Sequence, residues 1–176
     1  AFVGGIAGST KNTTVASAIS DTEISATDAS NNVGGVIGQM VGGSIYKSRA
    51  NAKITAPGAN NNAGGLVGYS SAETSQCFSL GSVVSTGENT NTGGLIGYAN
   101  ASITDCYSMA TTEGSEFTAG LVAYAKGGID KCLASGNVKG VKYGAGLVGE
   151  LDGSSASVSN SVAANNLLEL SAQSSW

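Results

Sequence analysis

A pair of small residues ending in glycine, followed by two aliphatic residues and a further small residue, recurs six times in this chain, and that recurrence constrains the fold more than any other feature. The units read VGGIAG from Val3, VGGVIG from Val33, AGGLVG from Ala63, TGGLIG from Thr92, TAGLVA from Thr118 and GAGLVG from Gly144. Anchored on the second residue of each small pair, they fall at Gly5, Gly35, Gly65, Gly94, Gly120 and Gly146, with spacings of 30, 30, 29, 26 and 26 residues. A phosphate-cradling loop is used once per domain, whereas a packing unit of a solenoid returns at every coil. Stretches such as GGLVGY, residues 64–69, are therefore structural units rather than ligand cradles.

Further columns appear once the units are aligned on their anchors. An apolar or Thr position is followed three residues later by a small one: Val15 with Ala18, Ile45 with Ser48, Thr74 with Cys77, Ile103 with Cys106, Ile129 with Cys132 and Val158 with Ser161. Six residues beyond lie Ile24, Ile54, Val83, Thr112, Val138 and Leu167. Three short strand-like segments per unit, separated by Gly, Asn and Ser clusters, describe one coil of a parallel β-helix. The expected fold is thus all-β: a right-handed parallel β-solenoid of about six coils, each 26–30 residues long, filling a single domain over 1–176. Its handedness follows from the general preference for right-handed crossovers. One coil cannot bury its own apolar face, but coils stacked about 4.8 Å apart build a continuous core, roughly 25–30 Å long for the whole array.

Composition agrees with this reading and removes several functions. With 27 glycines, one proline, 11% charged residues and no histidine, the chain is rich in turn formers and poor in straight-chain helix formers. A net charge of −4 with eight scattered Lys and Arg residues speaks against a nucleic-acid partner and gives no polybasic membrane patch. No apolar run approaches the roughly 20 residues that span a bilayer, so direct membrane insertion is not expected. Because the first residues enter a repeat without a polar capping segment, we expect either a piece of a longer polypeptide or a unit that stacks end to end.

Two columns invite a binding role. Tyr69, Tyr98 and Tyr124 each follow their anchors by four residues and should stack on one face, either as a structural strip or as an exposed surface for a sugar or protein. The second aliphatic of each unit (Ala7, Ile37, Val67, Ile96, Val122 and Val148) would face outward if the strand alternated strictly, making a column for association with another domain or copy. A bend at the glycines would instead turn both aliphatics inward. Asn32, Asn62 and Asn91 read as an amide ladder, with a calcium site as the sharper alternative.

Chemistry is hard to find. The absence of histidine excludes Ser-His-Asp and Cys-His nucleophiles and the common zinc sites. Cys77, Cys106 and Cys132 lie 29 and 26 residues apart, unlike short metal-binding spacings, and are expected as free thiols in the core. Among the acids, Asp105 and Asp130 come closest to recurring, but their offsets from the cysteine differ by one and so point to opposite faces. Glu113, Glu116 and Glu150 fall at different corners. No catalytic residue, cofactor or metal is expected.

The units GGLVGYSSAETSQCFSLGSVVSTG, GGLIGYANASITDCYSMATTEG and AGLVAYAKGGIDKCLASGNVKG resemble GLUG repeats, including the Cys-aromatic or Cys-aliphatic step; the first, second and sixth units depart from the pattern with Ala18, Ser48 and Ser161. The resemblance spans most of residues 3–168 and implies a bacterial extracellular or cell-surface protein. Repeats of this kind occur in adhesin-like proteins and in the non-catalytic regions of immunoglobulin A metallopeptidases. The implied role is a non-enzymatic adhesive, spacing or self-assembly module whose partners are surface proteins, glycans or further copies of itself. A carbohydrate-binding or carbohydrate-processing β-helix is the alternative.

Overall fold

Six coils stack in register, each crossing three sheets in turn, in a computed structural model that describes residues 1–29 and 31–171. Ser30 and residues 172–176 of the expected domain lie outside the described residues. Sheet A is built from three-residue strands just before each anchor, such as Phe2–Gly4, Asn32–Gly34 and Asn91–Gly93. Sheet B follows the anchor, with Ala7–Ala16 and Ile37–Tyr46 in the first two coils, and sheet C holds Ile19–Ser25, Arg49–Thr55 and Phe78–Ser85. Neighbouring strands pair in parallel, for example Val33 with Ala63 in sheet A and Ile54 with Val83 in sheet C. Among the described residues there is no helix, and hence none long and apolar enough to cross a membrane. The all-β solenoid of about six turns matches the expectation.

The division of a coil into strands differs from the sequence reading. The glycine motif and the Val15 column were expected on separate strands, yet Ala7 and Val15 share the one strand Ala7–Ala16. The third side is instead the short sheet A. From the third coil onward the sheet B strand breaks in two, as in Val67–Ser70 and Glu73–Ser75. The corner between sheets B and C is the same in every coil: Ser17, Lys47, Gln76, Asp105, Lys131 and Asn160 all adopt a left-handed backbone, with φ between 46° and 53°. One residue in that conformation reverses the chain direction sharply, so a coil turns there without a glycine.

The corner between sheets A and B is made differently. A Cβ placed on Gly65 would fall on the carbonyl oxygen of Gly94 in the next coil and lie 2.9 Å from Ser79 Cβ across the interior. The anchor is thus glycine because of close approach, not because of φ. Its neighbours across the core are small for the same reason: Ala50, Ser79, Ser108 and Ala134 occupy one column of sheet C and are all buried. The solenoid is thin at this point, and the larger side chains fill the remaining space. Ile45, Ile103 and Ile129 stack from sheet B, Ile54, Val83 and Val138 from sheet C, and Leu66, Leu95 and Leu121 from the corner itself.

Candidate functional site

The bend at the anchor and the residue after it decides the fate of the consecutive aliphatics. Ile37, Val67, Ile96 and Val122 are fully buried within one chain, as are Val36, Leu66, Leu95 and Leu121 beside them. Val148, in the last coil, is half-buried against the same core. Of the two readings open in the sequence, the outward association column is thus corrected and the inward bend holds: these residues are core. Strict alternation fails because the chain turns between the two positions, so both side chains enter the interior from adjoining sides.

The tyrosine column forms as expected in register. Tyr69 and Tyr98 stack with centroids 5.2 Å apart and planes 21° from parallel, and Tyr98 and Tyr124 stack at 4.9 Å and 11°. Tyr98 thus has both ring faces covered, and all three side chains are half-buried. Around the A–B corner the strip continues through Phe117, which meets Tyr124 edge-on at 5.5 Å and stacks on Tyr143 at 4.9 Å. The strip offers ring edges and hydroxyls to solvent rather than a row of open faces.

At its far end the strip becomes polar. Tyr124 donates a 2.6 Å hydrogen bond to Asp152, which also pairs with Lys126 at 3.2 Å. The bond to Asp152 pushes the Tyr124 hydroxyl up to about 12, with burial and the carboxylate charge acting in the same direction. The same bond, with that from Lys126, holds the Asp152 carboxyl below the ordinary carboxylate range.

The asparagine column is the ladder foreseen. Asn62 donates to the Asn32 side-chain oxygen at 2.8 Å, and Asn91 to that of Asn62 at 2.7 Å. A second column just before it was missed. Buried Asn61 accepts from the Asn31 N–H at 2.8 Å and donates to the Gly58 carbonyl at 2.7 Å, closing the loop that precedes sheet A.

The cysteines do more than fill space. The Sγ–H groups of Cys77, Cys106 and Cys132 donate to the carbonyls of Ser75, Thr104 and Asp130, each two residues back, at 3.1, 3.1 and 3.2 Å. Each of these bonds spans a left-handed corner residue. From the coil before, the Cys77 N–H donates to Cys106 Sγ at 3.3 Å. Serine performs both tasks at two of the three departing positions: Ser48 donates to the Tyr46 carbonyl and accepts from Ala18 N–H at 3.1 Å, and Ser161 donates to the Ser159 carbonyl and accepts from Cys132 N–H at 3.0 Å. All three cysteines are free and buried. Sulfur contacts with Cys132 and Cys77, together with burial, push the Cys106 thiol far up, so it stays neutral.

The acids remain dispersed. Asp130 is held below the usual range by hydrogen bonds from Asn160 and Ser159, each 2.7 Å long, and Asp105 occupies the left-handed corner one coil earlier. Glu116 pairs with Lys142 at 2.7 Å near the aromatic strip, Glu113 stands on sheet C in register with Lys139, and Glu150 ends the tyrosine column beside Tyr124. Among the described residues no three His, Cys, Asp or Glu side chains form a group that would hold a metal ion. An outer apolar column also escaped the sequence reading. Phe78 and Tyr107 stack at 4.7 Å and 4°, with Leu133 and Val162 continuing in register on sheet C. Its signal was the residue directly after each cysteine.

Residues 88–112 match the GLUG motif. The matched stretch runs from the loop before Asn91–Gly93, through the Gly94 corner and Ile96–Ala99, past Cys106 to the sheet C residue Thr112. One GLUG motif is thus one circuit of the solenoid, and the parallel registers place equivalent residues above and below it. No curated protein and no solved structure matches the chain.

Proposed function

We infer that this chain is a non-enzymatic structural repeat module of a bacterial secreted or cell-surface protein, acting in adhesion, spacing or self-assembly. The observation that supports this most is how its polar and aromatic side chains are used. Tyrosines stack on tyrosines, asparagines bond asparagines, and thiols bond the coil before them, so these groups serve the continuity of the rod. A stiff rod built this way holds whatever it carries at a set distance, and its bacterial surface setting comes from the GLUG resemblance. Partners at such a surface would be proteins, glycans or further copies of the chain.

The test pairs two measurements on the folded chain. Cells displaying it should gain attachment to one another or to a coated surface, and the purified chain should release neither reducing ends from polysaccharides nor new amino termini from proteins. Turnover of either substrate class would overturn the reading. Saturable binding to one glycan without turnover would favour a carbohydrate-binding β-helix instead.

A further inference from the structure

Cys77, Cys106 and Cys132 form one buried column through three successive coils in the middle of the rod. Ladder pairs bracket that column on both sides: Ser75, Thr104 and Asp130 two residues before it, and Phe78, Tyr107 and Leu133 one residue after it. Cysteines of adjacent coils are therefore held at the separation of parallel neighbours, about 4.8 Å. A disulfide needs Cα atoms about 4.4–6.8 Å apart, so the backbone meets its distance condition as it stands.

The sulfurs lean the right way. Cys106 Sγ accepts from the Cys77 N–H at 3.3 Å and lies 3.9 Å from the Thr74 carbonyl, both in the coil before its own. Cys132 Sγ in turn lies 3.8 Å from the Ile103 carbonyl, in the coil of Cys106. Each thiol reaches toward the preceding cysteine, so closing a bridge calls for a side-chain rotation rather than a shift of the ladder.

Topology limits which bridges form. Cys77 and Cys132 are two coils apart, roughly 10 Å, past the reach of about 7 Å that a disulfide allows without backbone movement. In the remaining coils the column holds Ala18, Ser48 and Ser161. Every bridge therefore contains Cys106, and the chain holds one bridge at a time.

The chemistry starts at an outer cysteine. Hydrogen bonding with Cys106 holds the Cys77 and Cys132 thiols below the ordinary thiol value against the opposing effect of burial, whereas the Cys106 proton is held firmly between them. The thiolate is the attacking form, so Cys77 or Cys132 acts first. Each cysteine directly follows an exposed corner residue, Gln76, Asp105 or Lys131, so opening of that corner alone admits a small reagent.

We propose that low-molecular-weight disulfides oxidise this column to a single inter-coil bridge, Cys106 with Cys77 or Cys106 with Cys132, which staples adjacent coils and leaves one outer thiol free. The outer thiolate attacks one sulfur of the small disulfide, forming a mixed disulfide and releasing a small thiolate; Cys106 then gives up its proton, and its sulfur displaces the second small thiolate. Two protein thiols are oxidised, one small disulfide is reduced to two thiols, and the two protein protons end on those products. The remaining outer thiolate attacks the Cys106 sulfur and releases the other outer cysteine, so the two bridged forms interconvert. This goes beyond the proposed function and does not rest on it.

Hydroxyethyl disulfide applied to the folded chain at mildly alkaline pH, followed by thiol counting in urea and mass mapping of peptides, tests the proposal. The native chain should lose two of its three thiols and stay monomeric, with Cys106 in every bridged peptide. Cys77→Ser and Cys132→Ser should each lose both remaining thiols, and Cys106→Ser should keep both. Serine serves the same corner at Ser48 and Ser161, so all three variants should fold. Because the bridge closes a loop of 29 or 26 residues in the unfolded chain, the oxidised native chain should melt at higher urea than the reduced one. Dithiothreitol should reverse that gain, and Cys106→Ser should never show it. Three thiols surviving in the folded native chain, a stable mixed disulfide in place of a bridge, a bridge in Cys106→Ser, or an oxidised chain that melts no later than the reduced one would overturn the proposal.

Discussion

Cys106 has two hydrogen-bonding tasks in one place, donating across the left-handed Asp105 corner to Thr104 and accepting from Cys77 N–H. A side chain there needs a donor and an acceptor on its γ atom more than it needs sulfur. Cys106→Ser should therefore leave stability within about 1 kcal/mol, since a hydroxyl can take over both bonds. Cys106→Val keeps the bulk but leaves the buried Cys77 N–H and the Thr104 carbonyl without this partner, and should cost about 1–3 kcal/mol in a urea melt. Equal losses for the two variants would return the column to a simple packing role. Asp152 carries a pH prediction. Its bond raises the Tyr124 hydroxyl from near 10 to about 12, so between those values the unfolded chain loses a proton that the folded chain keeps, and stability falls as pH rises. The Asp152 carboxyl is depressed, so its contribution is present above the ordinary carboxylate value and is lost as pH falls through the folded one. Asp152→Ala should flatten the stability profile in both windows; urea midpoints across pH that keep the native slopes would contradict this.

Corners rather than strands are the elements that define a coil. At the A–B corner a Cβ on Gly65 would meet the next coil's Gly94 carbonyl and Ser79 across the core. Gly65→Ala should cost about 1–3 kcal/mol or more through overpacking, read as a lower urea midpoint with unchanged slope. The variant's melt matching the native one would mean that the corner has room for a methyl group. This corner was legible in the sequence because its requirement is chemical and strict: only the smallest residues fit, so glycine recurs in the same register. The amide ladder of Asn32, Asn62 and Asn91 was legible for a similar reason, since each rung needs an identical partner. The B–C corner was not. Ser17, Lys47, Gln76, Asp105, Lys131 and Asn160 share a backbone conformation and no side-chain chemistry, so nothing in their identity marks the turn. Sheet A was hidden as well, because its outward column changes from Asn91 to Phe117 and then Tyr143. The inward turn of Val67 beside Leu66 is a property of the bend, and side-chain alternation does not carry it.

On the scale of the whole molecule the coil is the unit of stability, because each coil makes its ladder bonds only with the one before and the one after. Stability in such an array is a sum of coil terms and nearest-neighbour terms, so a whole coil is removable where a partial one is not. Deleting residues 94–119 joins Gly93 to Gly120 and keeps the glycine pair, the Leu121 core position and the spacing to the next corner. The registers then bring Tyr69 over Tyr124 and Val67 over Val122, and Cys77 over Cys132, so the aromatic, apolar and thiol columns all close again. The shortened chain should keep its β circular dichroism and unfold cooperatively, with a urea slope lower by about one-sixth because one coil's worth of surface is no longer exposed. Deleting residues 94–106 alone joins Gly93 to Tyr107 and removes both sheet B strands of one coil, Ile96–Ala99 and Ile103–Thr104, so that circuit cannot close and the chain should not fold. If both deletions fold, or neither does, the coil is not the independent unit that its registers describe.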